Sequence, residues 1–325
     1  MSAERAVVLS GTGGVWQVRT ESGVTRDASM RGRLKKADGG KRSDGSRRRD
    51  TVAAGAETLK LAVGDEVLVE ADDRGETWAI AEILPRRSSL ARRAPGGGYG
   101  ERVVAANVDQ VVVVFAAARP EPHVRMLDRF LVIAEGNDLA ARVVINKADL
   151  VPDGVPEATF ADYPRAGYPL HVTSIKTGRG IDELREALAG RTSALSGPSG
   201  VGKSSLLNTL YPGLNLRVGE VSESVNKGRH TTVGALLHPL PDGGFVVDTP
   251  GLREIGMWGL APEELDRCFR EFRQLLSECR FADCTHRQEP DCAVRAAVEA
   301  GELSAARYDS YLRLRAELED APGVW

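Results

Sequence analysis

Apolar and polar residues alternate in short stretches at the start of the chain. Gly14-Val-Trp-Gln-Val18, Glu66-Val-Leu-Val69 and Trp78-Ala-Ile-Ala-Glu-Ile-Leu84 repeat with a period of two, and Gly, Asp and Ser turns separate them. Five or so short strands in roughly the first 85 residues predict a small β-barrel of OB-fold type over residues 1–90, a scaffold common among nucleic-acid-binding proteins. Residues 36–56 are rich in Gly, Ser and Arg and nearly devoid of large apolar side chains, so they read as a flexible basic insertion between strands.

Ala94-Pro-Gly-Gly-Gly-Tyr-Gly100 has the composition of a linker. Beyond it the pattern changes to strands alternating with helices. Asp109–Phe115, Arg142–Ile145 and Leu170–Thr173 read as strands, and Met126–Glu135 and Ile181–Leu188 as helices. A further strand leads into Gly197, a helix opens at Lys203, and a hairpin turns at Asp242-Gly243-Gly244 to join Gly234–Leu240 to Phe245–Asp248. This alternation predicts a mainly parallel sheet flanked by helices over residues 100–258. A third unit, 259–325, reads as helical. Leu265, Cys268, Phe269, Phe272, Leu275 and Leu276 form one apolar face at helical spacing, which assigns Cys268 to the core, and a charged helix runs from about Ser304 to Leu318.

Composition narrows the class. The chain has 325 residues, 42% hydrophobic and 27% charged, enough for two or three domains. Its longest apolar run, Val111–Ala118, falls short of the roughly 18–20 residues of a membrane span, and the N-terminus lacks a secretory pattern. The expectation is a cytoplasmic protein without a membrane partner. The net charge of −3 hides an asymmetry: basic residues crowd Arg26–Arg49 and Arg86, Arg87, Arg92 and Arg93, which suggests that the N-terminal part faces a polyanion. A solvated loop with a charged linker explains the same clusters.

Candidate chemistry begins at Gly197-Pro198-Ser199-Gly200-Val201-Gly202-Lys203-Ser204, which fits G-x-x-x-x-G-K-[ST]. Backbone N–H groups between the glycines can wrap a β-phosphate because no Cβ blocks the approach. Lys203 would span the β- and γ-phosphates, and the Ser204 hydroxyl would ligate Mg²⁺. The base is addressed by Asn146-Lys147-Ala148-Asp149, an N-K-x-D sequence after an apolar strand. A carboxylate at Asp149 can accept two hydrogen bonds from guanine, and adenine offers no such donor pair. Asp248-Thr-Pro-Gly251 fits D-x-x-G, Ser174-Ile175-Lys176 can close over the guanine O6, and Thr232 can complete the Mg²⁺ shell. Together these motifs predict binding and hydrolysis of GTP.

Their order is unusual. The base-recognition loops (146–149, 174–176) precede the phosphate loop (197–204), the threonine segment (231–232) and D-x-x-G (248–251), whereas GTPases usually begin with the phosphate loop. In this order, with Gly197–Ser205, Gly228-Arg-His-Thr-Thr232 and a cysteine cluster, the chain resembles the ribosome small subunit-dependent GTPase A family of circularly permuted GTPases. The resemblance implies an OB-fold barrel, a permuted α/β P-loop GTPase domain and a C-terminal zinc module. It also implies a role in late maturation of the small (30S) ribosomal subunit, binding to 16S rRNA, and hydrolysis stimulated by the subunit. A monomer is expected. Ile175 stands where the closing loop more often has alanine, and the 36–56 insertion exceeds what such a barrel needs.

Many GTPases carry a water-orienting glutamine after D-x-x-G. Leu252 occupies that position here, so His230 becomes the candidate water-positioning group, alongside Lys203 and Thr232. Cys279-x₄-Cys284-x-His286-x₅-Cys292 offers three thiolates and an imidazole, a set suited to one structural Zn²⁺ with no open position for catalysis. The metal is expected to hold a region with few large apolar residues. Two alternatives remain: an RNA-binding scaffold in which GTP only sets conformation, and a P-loop ATPase or kinase with a chance N-K-x-D.

Overall fold

The computed structural model describes residues 3–31, 60–71, 77–93, 101–216, 235–248 and 260–320, the side chains of 92, 93, 101, 102 and 248 aside. The expected 36–56 insertion, His230, Thr232 and Gly251 lie outside these residues.

Strands β1 (Glu4–Thr12), β2 (Val15–Thr20), β3 (Thr25–Met30), β4 (Glu66–Ala71) and β5 (Trp78–Ile83) close into a barrel in the order β1-β2-β3-β5-β4. Inward positions fill it. Val8, Val18, Val67, Val69 and Ile80 are fully buried, and one cross-strand row runs Gly11, Trp16, Ala28, Trp78, Ala71. Small residues flank the two indoles in that row. A Cβ at Gly11 would lie 2.4 Å from the Trp16 ring, so only glycine admits the indole there.

Beyond the barrel, β6 (Ser89–Arg93) and β7 (Glu101–Ala106) pair as an antiparallel hairpin. The segment 94–100, expected to be a linker, lies outside the described residues. The hairpin is stitched to the barrel: Ala106 N–H donates to the Val63 carbonyl (2.8 Å), and Asn107 Nδ2 to the Gly64 carbonyl (2.9 Å). The second basic cluster is partly committed inside the fold. Arg86 donates to both oxygens of the fully buried Asp65 (2.7 and 2.9 Å), and Arg87 donates to Asp109 at 3.0 Å.

The central sheet contains β8 (Gln110–Ala116), β9 (Ala140–Asn146), β10 (Leu170–Val172), β11 (Arg191–Ser196), β12 (Leu236–Pro239) and β13 (Gly244–Asp248). Its order is β10-β9-β8-β11-β13-β12, parallel except for the edge strand β12. Every residue of β8 is buried, as an unbroken apolar run in a doubly covered parallel strand requires. On one face lies α1 (Val124–Glu135), followed in the chain by the short α2 (Val155–Thr159) and α3 (Asp162–Arg165); on the other lie α4 (Ile181–Leu188) and α5 (Lys203–Leu210). The barrel joins the first face, where Leu9 and Val63 share a core with Phe115 and Leu237.

The C-terminal part departs from expectation at its start. Residues 262–278 form four 3-10 turns, Pro262–Glu264, Asp266–Cys268, Arg270–Phe272 and Leu276–Glu278, where one helix was expected. Apolar spacing of three and four fits both 3.0 and 3.6 residues per turn, and extended backbone at Phe269 (φ −99°, ψ 102°) interrupts the α path. The apolar face itself is real: Leu265, Cys268, Phe269 and Phe272 are buried, with Cys268 4% exposed. Helices α6 (Ala293–Glu299) and α7 (Ala305–Asp320) complete the module.

This module is not poor in large apolar residues. Phe269, Phe272 and Tyr311 are fully buried, with the two phenyl rings stacked at 5.2 Å and Tyr311 edge-on to both at 5.2–5.5 Å, and share one core with Leu127 and Leu131 of α1. Each such ring contributes roughly 1.5–3 kcal/mol by leaving water. Ion pairs cross the same seam. Glu135 of α1 accepts from Arg270 and Arg273, both at 2.6 Å, and Arg307 of α7 reaches Asp128 of α1 at 2.5 Å and Glu271 at 2.7 Å.

Candidate nucleotide and metal sites

Parallel strands bring all their C-terminal ends to one edge, and the loops gathered there form a crevice where strand order reverses. The chain runs outward through β8, β9 and β10, then returns across β8 to β11 and β13. The loops after β9, β10, β11 and β13 carry 146–149, 174–176, 197–202 and the start of D-x-x-G. Reversed sequence order is therefore compatible with one shared crevice.

The phosphate-loop candidate spans β11 and α5, and its backbone requires glycine. Gly197 has φ +129°, and a Cβ would stand 2.0 Å from the Val114 carbonyl oxygen. Gly200 and Gly202 adopt φ +77° and +94°, and a Cβ at Gly202 would meet Asn146 Nδ2 at 2.7 Å. Lys203 Nζ donates to the Gly197 and Pro198 carbonyls at 2.8 and 2.7 Å, holding its ammonium at the loop. Val201 is buried beneath it, and Pro198, Ser199, Ser204 and Ser205 complete the turn into α5.

The base-side loop touches this loop directly. Asn146 Nδ2 donates to the Val201 carbonyl at 3.0 Å, and Lys147 Nζ donates to the carbonyls of Gly200 (2.6 Å) and Arg119 (2.5 Å). Lys147 is in the left-handed region (φ 59°). The third motif joins through Thr173 Oγ1, which donates to Asn146 Oδ1 at 3.3 Å, and Ser174 Oγ, which donates to Asp149 Oδ1 at 2.6 Å. Asn146 and Ser174 are buried, whereas Asp149 is exposed and Ile175 is 36% exposed. Asp248 ends β13, next to β11. Sequence reasoning missed Arg119, whose carbonyl anchors Lys147; a loop carbonyl carries no side-chain signal.

At the opposite end of the chain, Cys279, Cys284, His286 and Cys292 present ligand atoms all within 4.8 Å of one another. Cys279 Sγ and Cys292 Sγ are 4.0 Å apart, and His286 Nδ1 lies 3.6 and 3.4 Å from them. A tetrahedral site with metal–sulfur bonds of ~2.3 Å and metal–nitrogen bonds of ~2.0 Å needs about 3.8 Å between sulfurs and about 3.6 Å from sulfur to nitrogen. The residues fit a metal ion. Burial pushes the Cys284 thiol up to about 12 and Cys292 upward as well, so a thiolate at either position needs a cation beside it. None of the four cysteines forms a disulfide. Glu289, which sequence reasoning passed over, shapes the ligand loop by accepting the N–H groups of Thr285, Arg287 and Gln288 at 2.8–3.0 Å. A chelator should make the thiols of Cys279, Cys284 and Cys292 react with a thiol reagent, while buried Cys268 stays unreactive until denaturation. Equal reactivity of all three before and after chelation would argue against a bound ion.

Comparison with known proteins gives a consistent result. A family model described as RsgA GTPase matches residues 83–258. A protein of Gemmatimonas aurantiaca named "Small ribosomal subunit biogenesis GTPase RsgA" is 63% identical over 313 residues, 96% of each chain. One of the same name from Moorella thermoacetica is 46% identical, with 78% of this chain and 84% of the relative covered. Among solved structures, the crystal structure of YjeQ from Thermotoga maritima superposes with a TM-score of 0.79 at 34% identity, covering 99% of this chain and all of that one. YloQ, described as a circularly permuted GTPase, gives 0.75 at 27% identity, covering 99% of this chain and 97% of that one. With N-K-x-D bonded to a phosphate loop that follows it in sequence, and with these relatives, the chain belongs to the RsgA GTPase family of circularly permuted GTP hydrolases.

Proposed function

We propose that this GTPase acts in late maturation of the small (30S) ribosomal subunit, binds it through 16S rRNA, and hydrolyses GTP to GDP and phosphate when the subunit stimulates it. The observation that carries the nucleotide reading is the pair of hydrogen bonds from Asn146 and Lys147 to the backbone at 200–201, which ties base and phosphate ends of one site together. The relatives' printed name supplies the subunit.

In this reading Asp149 accepts from guanine, with Asn146 and Lys147 bracing it and Ser174, Ile175 and Lys176 closing over the base. Backbone N–H groups of 197–205 hold the phosphates, and Lys203 neutralises charge that develops on them. Ser204 and Thr232 would ligate the Mg²⁺ that a GTPase uses, Asp248 would reach it through water, and the Gly251 N–H would meet the γ-phosphate. His230 positions the attacking water. The cysteine and histidine cluster holds one structural Zn²⁺, whose four protein ligands leave it no catalytic position. The protein works as a monomer in the cytoplasm. Among the described residues no helix is long and apolar enough to cross a membrane.

The test is GTP turnover with and without small subunits across a salt series. Stimulation that fades steeply with salt is expected if basic residues contact phosphates; no stimulation at any salt would reject the subunit as partner. For His230→Ala we expect subunit-stimulated turnover to drop by about an order of magnitude or more with nucleotide affinity nearly unchanged. Unaltered stimulated turnover would remove His230 from the mechanism.

A further inference from the structure

The metal cluster leaves one polar atom unexplained. His286 turns Nδ1 toward the Cys279 and Cys292 sulfurs at 3.6 and 3.4 Å, which makes Nδ1 the ligating nitrogen. A neutral imidazole bound through Nδ1 carries its proton on Nε2. That Nε2 is buried and has no hydrogen-bond partner. Asp266 is the carboxylate that faces it, with Oδ2 at 3.6 Å.

The surroundings fix both groups. Asp266 Oδ1 accepts the Arg267 N–H at 2.7 Å, so the carboxylate is oriented with Oδ2 toward the ring. His286 is 1% exposed, lies edge-on to Phe272 at 6.2 Å and against Tyr311 at 5.9 Å, and its carbonyl accepts the Tyr308 hydroxyl at 2.5 Å. The imidazole therefore has little freedom to turn elsewhere for an acceptor. A buried donor without a partner is costly, and closing 3.6 Å to a normal 2.8–3.0 Å needs a shift of under about one ångström.

We propose that Asp266 is a positioning residue for the metal centre, accepting the Nε2 proton of His286 and thereby fixing the tautomer that presents Nδ1 to the ion. The proposal rests on the reading that the cluster holds zinc. Carboxylates behind metal-bound histidines hold the ring in place and raise its basicity, and their loss typically weakens metal binding by 10–100-fold. Asp266 lies eighteen positions beyond Asp248 in the turn Asp266–Cys268, so the same contact links the metal loop to the chain that leaves D-x-x-G.

The test compares full-length wild type with Asp266→Ala and Asp266→Asn. Zinc affinity is measured by competition with a chromophoric chelator, and the His286 Nε2 proton is followed by NMR of the zinc-loaded, ¹⁵N-histidine-labelled protein. Asp266→Ala should bind zinc about 10–100-fold more weakly and lose the downfield, slowly exchanging Nε2 proton. Asp266→Asn keeps one acceptor oxygen, which can take the Nε2 proton when the exposed Arg267 N–H turns to water, and should restore part of the affinity together with the proton signal; return of the proton signal is the readout that a merely structural role would not produce. Wild-type affinity and an unchanged proton signal in Asp266→Ala would overturn the proposal. So would equal losses in both variants. A wild-type chain that takes up no zinc would instead remove the metal reading beneath it, an outcome told apart by metal content alone.

Discussion

Asp149→Asn is expected to abolish selective GTP binding while leaving the fold intact. Asp149 has two acceptor oxygens, one already accepting the Ser174 hydroxyl, and in the proposed reading they would meet the guanine N1–H and exocyclic amine. The asparagine amide replaces one acceptor by a donor, which then opposes the guanine amine in a closed site. Unpaired buried polar groups of this kind reject a ligand by on the order of 10⁴-fold. Xanthine has a carbonyl where guanine has the amine, so the same amide matches it with one bond given and one accepted. The variant should therefore lose GTP affinity and gain affinity for xanthosine triphosphate. Because Asp149 is exposed, the melting temperature should scarcely change. Competition between the two nucleotides for each variant reads the outcome. GTP bound by the variant as tightly as by wild type would remove Asp149 from base recognition, and strong ATP binding by wild type would do the same.

The motifs of that candidate site were legible because their chemistry is local. Four turns of a few residues each name their own ligand groups, and the strands that hold them are unbroken apolar runs such as Val111–Phe115. Closure of the five-stranded barrel and the hairpin at 242–244 were also readable from period-two alternation and turn residues. What escaped was non-local or degenerate. Spacing of three and four along 262–278 permits 3-10 turns as well as an α-helix, and the docking of Arg270 and Arg273 onto Glu135 accompanies the tighter turns. The Arg86–Asp65 pair converts part of an apparent polyanion patch into internal structure. Charges that pair across the sequence look, in one dimension, like charges that await a partner.

The largest such pair yields the second prediction. Arg307 is 3% exposed and lies between Asp128, at 2.5 Å, and Glu271, at 2.7 Å, with its guanidinium 4.7 Å from the Phe269 ring. Burial opposes its charge, but the two carboxylates hold its pKa above the ordinary arginine value. Asp128 also accepts the Tyr163 hydroxyl at 2.9 Å, so one cluster joins α1, the 160s and α7. Arg307→Ala strands two carboxylates in a dry seam, and breaking a buried pair from one side costs about 3–5 kcal/mol. At about 1.5 °C per kcal/mol for a chain of this length, thermal unfolding should begin about 4–7 °C lower. Hydrogen exchange should quicken first in α1 and α7, because the seam between them opens before the sheet does. Asp128→Ala leaves Arg307 paired with Glu271 alone and takes the Tyr163 hydroxyl's acceptor away, so it should cost less than Arg307→Ala. The double variant should cost less than the sum, since Asp128 and Arg307 are removed together and only Glu271 is left without its partner. Additive losses, or an Arg307→Ala protein within about 1 kcal/mol of wild type, would mean that apolar packing of Phe269, Phe272 and Tyr311, with the Glu135 pairs to Arg270 and Arg273, holds the module to α1 without Arg307. Nucleotide affinity is the control. The crevice loops do not include these residues, so GTP should bind Arg307→Ala as it binds wild type below the transition, and the module's attachment and the nucleotide site can then be perturbed one at a time.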